Sequence, residues 1–129
     1  MSDRRGYLRD SALELLDAAA VTSTQTGSEV TFDASSLDTA KVVVASEGYS
    51  SYTAGTAEWT VDFKAATAAG GTFVTIESIT LPATAKTVEL PFSGPEVTQR
   101  LGGRAAVVKG VLTKTGSPGA ATAVLYIAK

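Results

Sequence analysis

Residues 58–64 read Glu-Trp-Thr-Val-Asp-Phe-Lys, so Trp59, Val61 and Phe63 alternate strictly with Glu58, Thr60, Asp62 and Lys64. Successive side chains of a strand point to opposite faces, and this spacing therefore predicts a half-buried β-strand with its aromatic side against a core. Residues 41–45, Lys-Val-Val-Val-Ala, lack such alternation. An unbroken β-branched run predicts a central strand covered on both faces.

The same pattern, punctuated by turns, recurs along the chain. Residues 29–32 form a short candidate strand with Val30 and Phe32 on one face. Ala69-Gly70-Gly71 is a turn, and residues 72–81 resume as a strand. Its inward set shifts from Val74 and Ile76 to Ile79 and Leu81, a one-residue slip that predicts a β-bulge near Glu77-Ser78. In residues 87–92, Val88, Leu90 and Phe92 share a face, and the flanking Pro82 and Pro91 suit an edge strand. Gly94-Pro95 breaks the chain, and residues 96–101 suit a single helical turn. Two long strands follow, residues 104–113 and 121–128, and the link Thr115-Gly116-Ser117-Pro118-Gly119 predicts that they form a hairpin. About seven strands at this spacing predict an all-β fold, an antiparallel two-sheet β-sandwich over residues 22–129.

Residues 1–21 are different and are expected to form an N-terminal arm or a short helix. Ser11 followed by Glu14 fits a capping box. Leu13, Leu16 and Ala20 share a helical face, with Ala12, Leu15 and Ala19 beside it. A helix of about ten residues is marginal alone in water and needs a surface to dock on. The alternative is an extended arm, and the reach differs: twenty extended residues span up to ~70 Å, the same number as helix ~30 Å. Residues 1–9 hold Arg4, Arg5 and Arg9 against Asp3, a charge of +2, whereas residues 10–129 hold 8 basic and 12 acidic residues, a charge of −4. Such a terminus is either a solvated tail or a binding arm.

Composition excludes several chemistries. The chain of 129 residues is one domain's worth and has no His and no Cys. A Ser-His-Asp triad lacks its imidazole, and thiol nucleophiles, disulfides and the usual zinc ligands are missing. No phosphate-binding glycine loop occurs. Glu58 and Asp62 are the nearest carboxylates on one strand, ~13 Å apart and facing outward, which reads as a solubilising face. The loop from Asp33 to Asp38 has two acids and two serines but lacks the ligand series of a calcium loop, leaving at most weak ion binding there. The sequence thus assigns no catalytic, cofactor-binding or metal residues and no cofactor, and the chain is not expected to be an enzyme. No basic run marks a nucleic-acid footprint, and no stretch approaches the ~20 apolar residues of a membrane helix. The apolar run behind the basic N-terminus is broken by Asp10, Glu14 and Asp17, unlike a signal peptide.

Among the aromatics, Trp59, Phe63, Phe73 and Phe92 read as core. Tyr49 and Tyr52 lie in a Gly/Ser/Thr-rich loop, residues 47–55, where tyrosine serves either as an adhesive surface side chain or as a ring over its own loop. The segment Arg4-Arg5-Gly6-Tyr7-Leu8-Arg9 mixes guanidinium, aromatic and aliphatic groups of the kind found at interface hot spots. The expected partner-binding residues are therefore Arg4, Arg5, Tyr7, Leu8, Arg9, Tyr49 and Tyr52.

Three segments, Ala57-Glu58-Trp59-Thr60-Val61-Asp62-Phe63-Lys64-Ala65, Gly71-Thr72-Phe73-Val74-Thr75-Ile76 and Val88-Glu89-Leu90-Pro91-Phe92-Ser93-Gly94, together with residues 106–118 and 121–127, are similar to small head proteins of tailed phages. The chain resembles the β-sandwich decoration (cement) proteins of their capsids. The resemblance covers residues 21–128, is one of strand-and-turn style, and carries no functional residues across. It implies a structural virion protein on the outer surface of the capsid, made in the host cytoplasm. Its implied partners are the major capsid protein and neighbouring copies of itself, as a homo-oligomer (dimer or trimer), with no nucleic acid and no membrane. The alternative is a glycan- or receptor-binding sandwich module of a phage tail, fibre or cell surface.

Overall fold

A computed structural model of the chain describes residues 14–31, 40–92, 94–103 and 106–128. These form nine strands and one helix: β1 (Glu14–Val21), β2 (Gln25–Thr26), β3 (Val30–Thr31), β4 (Ala40–Gly48), β5 (Glu58–Ala66), β6 (Val74–Thr80), β7 (Thr84–Phe92), α1 (Gly94–Leu101), β8 (Val107–Thr115) and β9 (Ala121–Ala128). All pairings are antiparallel. One sheet has the order β1-β9-β4-β7; the other has the order β2-β8-β5-β6, with β3 also on β8. The fold is the expected two-sheet sandwich.

The inner faces supply the core. Trp59, Val61, Phe63 and Ala65 of β5 are all buried, as their alternation predicts. They meet Val42 and Val44 of β4 and Leu125 and Ile127 of β9 in one apolar cluster, closed by Val97 of α1. The helix has two turns rather than the one expected. The slip in β6 is present: Phe63 faces Glu77 and Lys64 faces Thr75, so Ile76 is the extra residue. The bulge frees the Ile76 carbonyl from the ladder, and Arg100 of α1 donates to it at 2.6 Å. Val74, expected inward, is instead 38% exposed. As its prolines predict, β7 is an edge strand. The Phe92 side chain, the capping position Ser11 and the loop from Asp33 to Asp38 lie outside the described residues.

Two expectations are corrected. Residues 14–21 are neither helix nor free arm; they form edge strand β1, paired with β9. The sandwich therefore begins at residue 14 or earlier, not at 22. The Leu/Ala/Glu composition favours helix intrinsically, but pairing with a distant strand and burial of Leu15, Leu16 and Ala18 override that weak preference. Nor do β8 and β9 form a hairpin. β8 pairs with β5 in one sheet and β9 with β4 in the other, so the link between them crosses the sandwich. That link is held by loop 49–57 rather than by its own turn: the Gly119 amide donates to the Ser50 carbonyl at 2.8 Å, and the Trp59 indole donates to the Gly119 carbonyl at 2.8 Å.

The segment from β1 to β2 clips the two sheets together, since β1 pairs with β9 and β2 with β8. Its corner is tied to both partners. The Ala20 amide donates to Thr122 Oγ1 at 2.9 Å, the Lys114 amide donates to Thr24 Oγ1 at 3.1 Å, and Lys114 Nζ donates to the Thr22 carbonyl at 2.9 Å. Gly27, just past β2, lets the returning chain pass close to the start of β1. Its amide donates to the Gly110 carbonyl at 2.7 Å, and a Cβ at this position would run into the Leu15 carbonyl oxygen. Gly27→Ala is accordingly expected to cost about 3 kcal/mol or more in urea unfolding, because the obstacle is backbone that cannot rotate away. Gly55→Ala, at φ 76° with nothing within 4 Å, is expected to cost only the left-handed strain of about 1 kcal/mol.

Candidate functional site: the outer face of the four-stranded sheet

The two outward faces of the sandwich differ in chemistry. On the sheet containing β5, the outer residues are polar and engaged locally. Ser78 Oγ donates to Asp62 Oδ1 at 2.6 Å, the Gly55 amide donates to Glu58 Oε1 at 2.7 Å, and Thr60 lies opposite Thr80 and Thr113. Lys109 sits over the Phe73 ring at 4.1 Å, so Phe73 is a surface-side partner of a cation rather than part of the central core. These contacts account for the two strand carboxylates as elements of a solvated face.

The opposite outer face, on the sheet containing β4, has an apolar centre. Directly opposed residues on neighbouring strands share a face, so the register assembles one row across all four strands: Glu14 of β1, Tyr126 of β9, Val43 of β4 and Glu89 of β7. The next row is Asp17, Val124, Ala45 and Thr87. Val43 and Tyr126 are buried, at 0% and 2% exposure, and with Val124 they form a cluster separate from the inter-sheet core. Both faces of β4 are thus covered, as its run of three valines predicts. The row is carboxylate at both ends and apolar in the middle, over three strand spacings or roughly 14 Å. Lys41 Nζ pairs with Glu89 Oε1 at 3.1 Å on the same side.

Arg4, Arg5, Tyr7, Leu8 and Arg9 lie outside the described residues. The two loop tyrosines are described, and they separate. Tyr49 is not an adhesive surface residue: it is 8% exposed, its hydroxyl donates to the Leu81 carbonyl at 2.8 Å, and it accepts from the Trp59 amide at 3.2 Å. Two backbone groups at the sheet end thereby gain a partner, which draws the ring inward. Burial pushes the Tyr49 hydroxyl up from its ordinary 10.0, partly offset by the bond from the Trp59 amide. Tyr52 stays 39% exposed with its ring against that of Tyr49, centroids 5.9 Å apart and nearly perpendicular. The loop therefore offers one aromatic side chain outward, not a platform of two. The residues that build the outer face (Glu14, Asp17, Val43, Glu89, Val124 and Tyr126) are not among those the sequence singles out. Only the valine run hinted at them, because the row unites four strands far apart in the chain.

Between the first half of β1 and the segment from β2 onward, a cleft of about 270 Å³ is lined by Glu14, Leu15, Leu16, Asp17 and residues 25–28. Among the described residues, no three His, Cys, Asp or Glu side chains gather as metal ligands, and no helix is long and apolar enough to cross a membrane. No protein-family model matches the chain, and neither curated proteins nor solved structures provide a match.

Tyr49→Phe is expected to lower unfolding stability at neutral pH by about 2 kcal/mol, since a buried amide and a carbonyl lose their partner. The folded hydroxyl titrates above its unfolded value. Its contribution is therefore full below pH 10 and is lost as pH rises through the raised value, and urea unfolding from pH 8 to 11 should show a shallower alkaline loss in the variant than in the parent.

Proposed function

We propose that this chain is a structural virion protein that binds the outside of a tailed-phage capsid and braces the shell through contacts that bridge subunits. The observation that carries the reading is the anchoring of β1. Residues 14–21 are built into the sheet as its edge strand, so the segment preceding them, with Arg4, Arg5, Tyr7, Leu8 and Arg9, is tethered to a rigid platform. A short, basic, aromatic-bearing segment on a rigid body suits contact with neighbours better than chemistry on a small substrate. The strand-and-turn resemblance to capsid decoration proteins points the same way.

The mechanism is burial of area without bond making. A stable contact between proteins removes about 1,600 Å² from water, and weak contacts repeated over a closed shell add through avidity. The partners on this reading are the major capsid protein and adjacent copies of the chain. Because β1 begins at Glu14, a truncation that spares the edge strand removes residues 1–13 at most, whereas removing residues 1–20 would take the edge strand with it.

Purified virions are expected to contain this chain at a copy number near that of the shell protein, measured by quantitative mass spectrometry. The chain lacking residues 1–13 should still unfold cooperatively but bind capsids stripped of the native protein more weakly. Absence from virions, or equal binding by the truncated chain, contradicts the proposal.

A further inference from the structure

We propose that Arg100 of α1 guards the free edge of β6: by holding the Ile76 carbonyl, it keeps this strand from pairing antiparallel with β6 of a second copy of the chain. The proposal concerns the sandwich itself and does not rest on the capsid reading. An edge strand offers unpaired amides and carbonyls to any other strand, and folded proteins blunt their edges with short strands, bends, lysines or prolines. Three of the four sheet edges here are blunted in that way. β2 and β3 have two residues each, β1 is broken by two register shifts and a left-handed Ala20 at φ 49°, and β7 carries Lys86 and Pro91. The remaining edge, β6, reads Val-Thr-Ile-Glu-Ser-Ile-Thr, with no glycine, lysine or proline.

The ladder shows which backbone groups of β6 are open. The Leu81 amide donates to the Trp59 carbonyl at 2.8 Å, so alternation turns the amide and carbonyl of Ile79 towards β5 and those of Ser78 and Thr80 to the open side. The bulge adds the Ile76 carbonyl to that open set. A second copy brings the same strand, and a two-fold axis pairs β6 with itself. A register centred on Glu77 sets two carboxylates directly opposite, which is unfavourable. A register centred on Ser78 sets Glu77 against Ile79 and Ile76 against Thr80. The Ile76 carbonyl of each copy must then accept from the Thr80 amide of the other. That carbonyl is the group Arg100 occupies, with Nη1 donating to it at 2.6 Å. The guard is held from behind, because Val97, one turn earlier on α1, is 0% exposed within the core. Arg100 itself lies at the surface, so its loss opens the edge without emptying the core.

The test is sedimentation equilibrium of the full chain over a concentration series. Arg100→Met keeps the apolar stem and removes the donors, and it is expected to shift towards twice the parent's mass as concentration rises. In the associated sample the amides of Ser78 and Thr80 should exchange with solvent about tenfold more slowly than in the parent. Adding Thr80→Pro to Arg100→Met removes an amide on the open side and leaves the ladder to β5 intact, and the mass should return to the parent's. Unchanged mass in Arg100→Met overturns the proposal, as does association that survives Thr80→Pro or leaves the Ser78 and Thr80 amides exchanging as fast as before. An Arg100→Met chain that no longer unfolds cooperatively in urea overturns it too, since Arg100 would then hold the fold rather than the edge.

Discussion

The fold depends on one clip. A single stretch from Glu14 to Thr26 pairs first with β9 in one sheet and then with β8 in the other. Two sheets packed face to face are free to slide unless something fixes their relative register. Here a continuous backbone does so, with hydrogen bonds from Ala20, Thr24 and Lys114 at the corner. Leu15 and Leu16 enter the core together through the register shift between Glu14 and Leu16, so the clip is also a wedge of apolar volume. Gly110 of β8 leaves room for it: a Cβ there would come within 2.6 Å of Leu125 Cδ2 and 3.2 Å of Leu16 Cβ. Because β1 and β9 are about a hundred residues apart in sequence, this closure is the most non-local event in folding.

The clip divides the molecule's surface into two chemistries. The sheet bearing β5 turns threonines, lysines and locally bonded carboxylates to its outer side. The sheet bearing β4 directs Tyr126, Val43 and Val124 to its outer side, where Tyr126 and Val43 are buried, with acids at its edges. Placing β1 at the edge of that same sheet puts Glu14 and Asp17 at the border of its apolar centre.

Much of this was legible in the sequence wherever period two is unbroken. Trp59, Val61 and Phe63 announced β5, the prolines around β7 announced an edge, and the slip between Ile76 and Ile79 announced the bulge. The three valines of β4 announced cover on both faces. What could not be read has physical reasons. In β1 the register shifts put Leu15 and Leu16 on the same side and leave Ala20 at φ 49°, so the alternation that marks a strand is absent. The turn-rich link after β8 fits a hairpin locally. Partner choice was decided elsewhere, by the loop carrying Ser50 and by the Trp59 indole. Tyr49 looks like a loop residue until the chain ends it bonds, Leu81 and Trp59, are brought together by pairing of distant strands. The acid-ended row exists only once β1, β9, β4 and β7 lie side by side.

The most direct test of this account is amide hydrogen exchange of the intact chain, read by mass spectrometry on a peptide covering residues 14–21. As a paired strand of the sandwich, that peptide is expected to exchange slowly, on the scale of β9 and in step with global unfolding as urea is added. Exchange at the rate of an unstructured peptide, while β5 and β9 remain protected, would mean that the sheets are not clipped by β1 and would contradict the account.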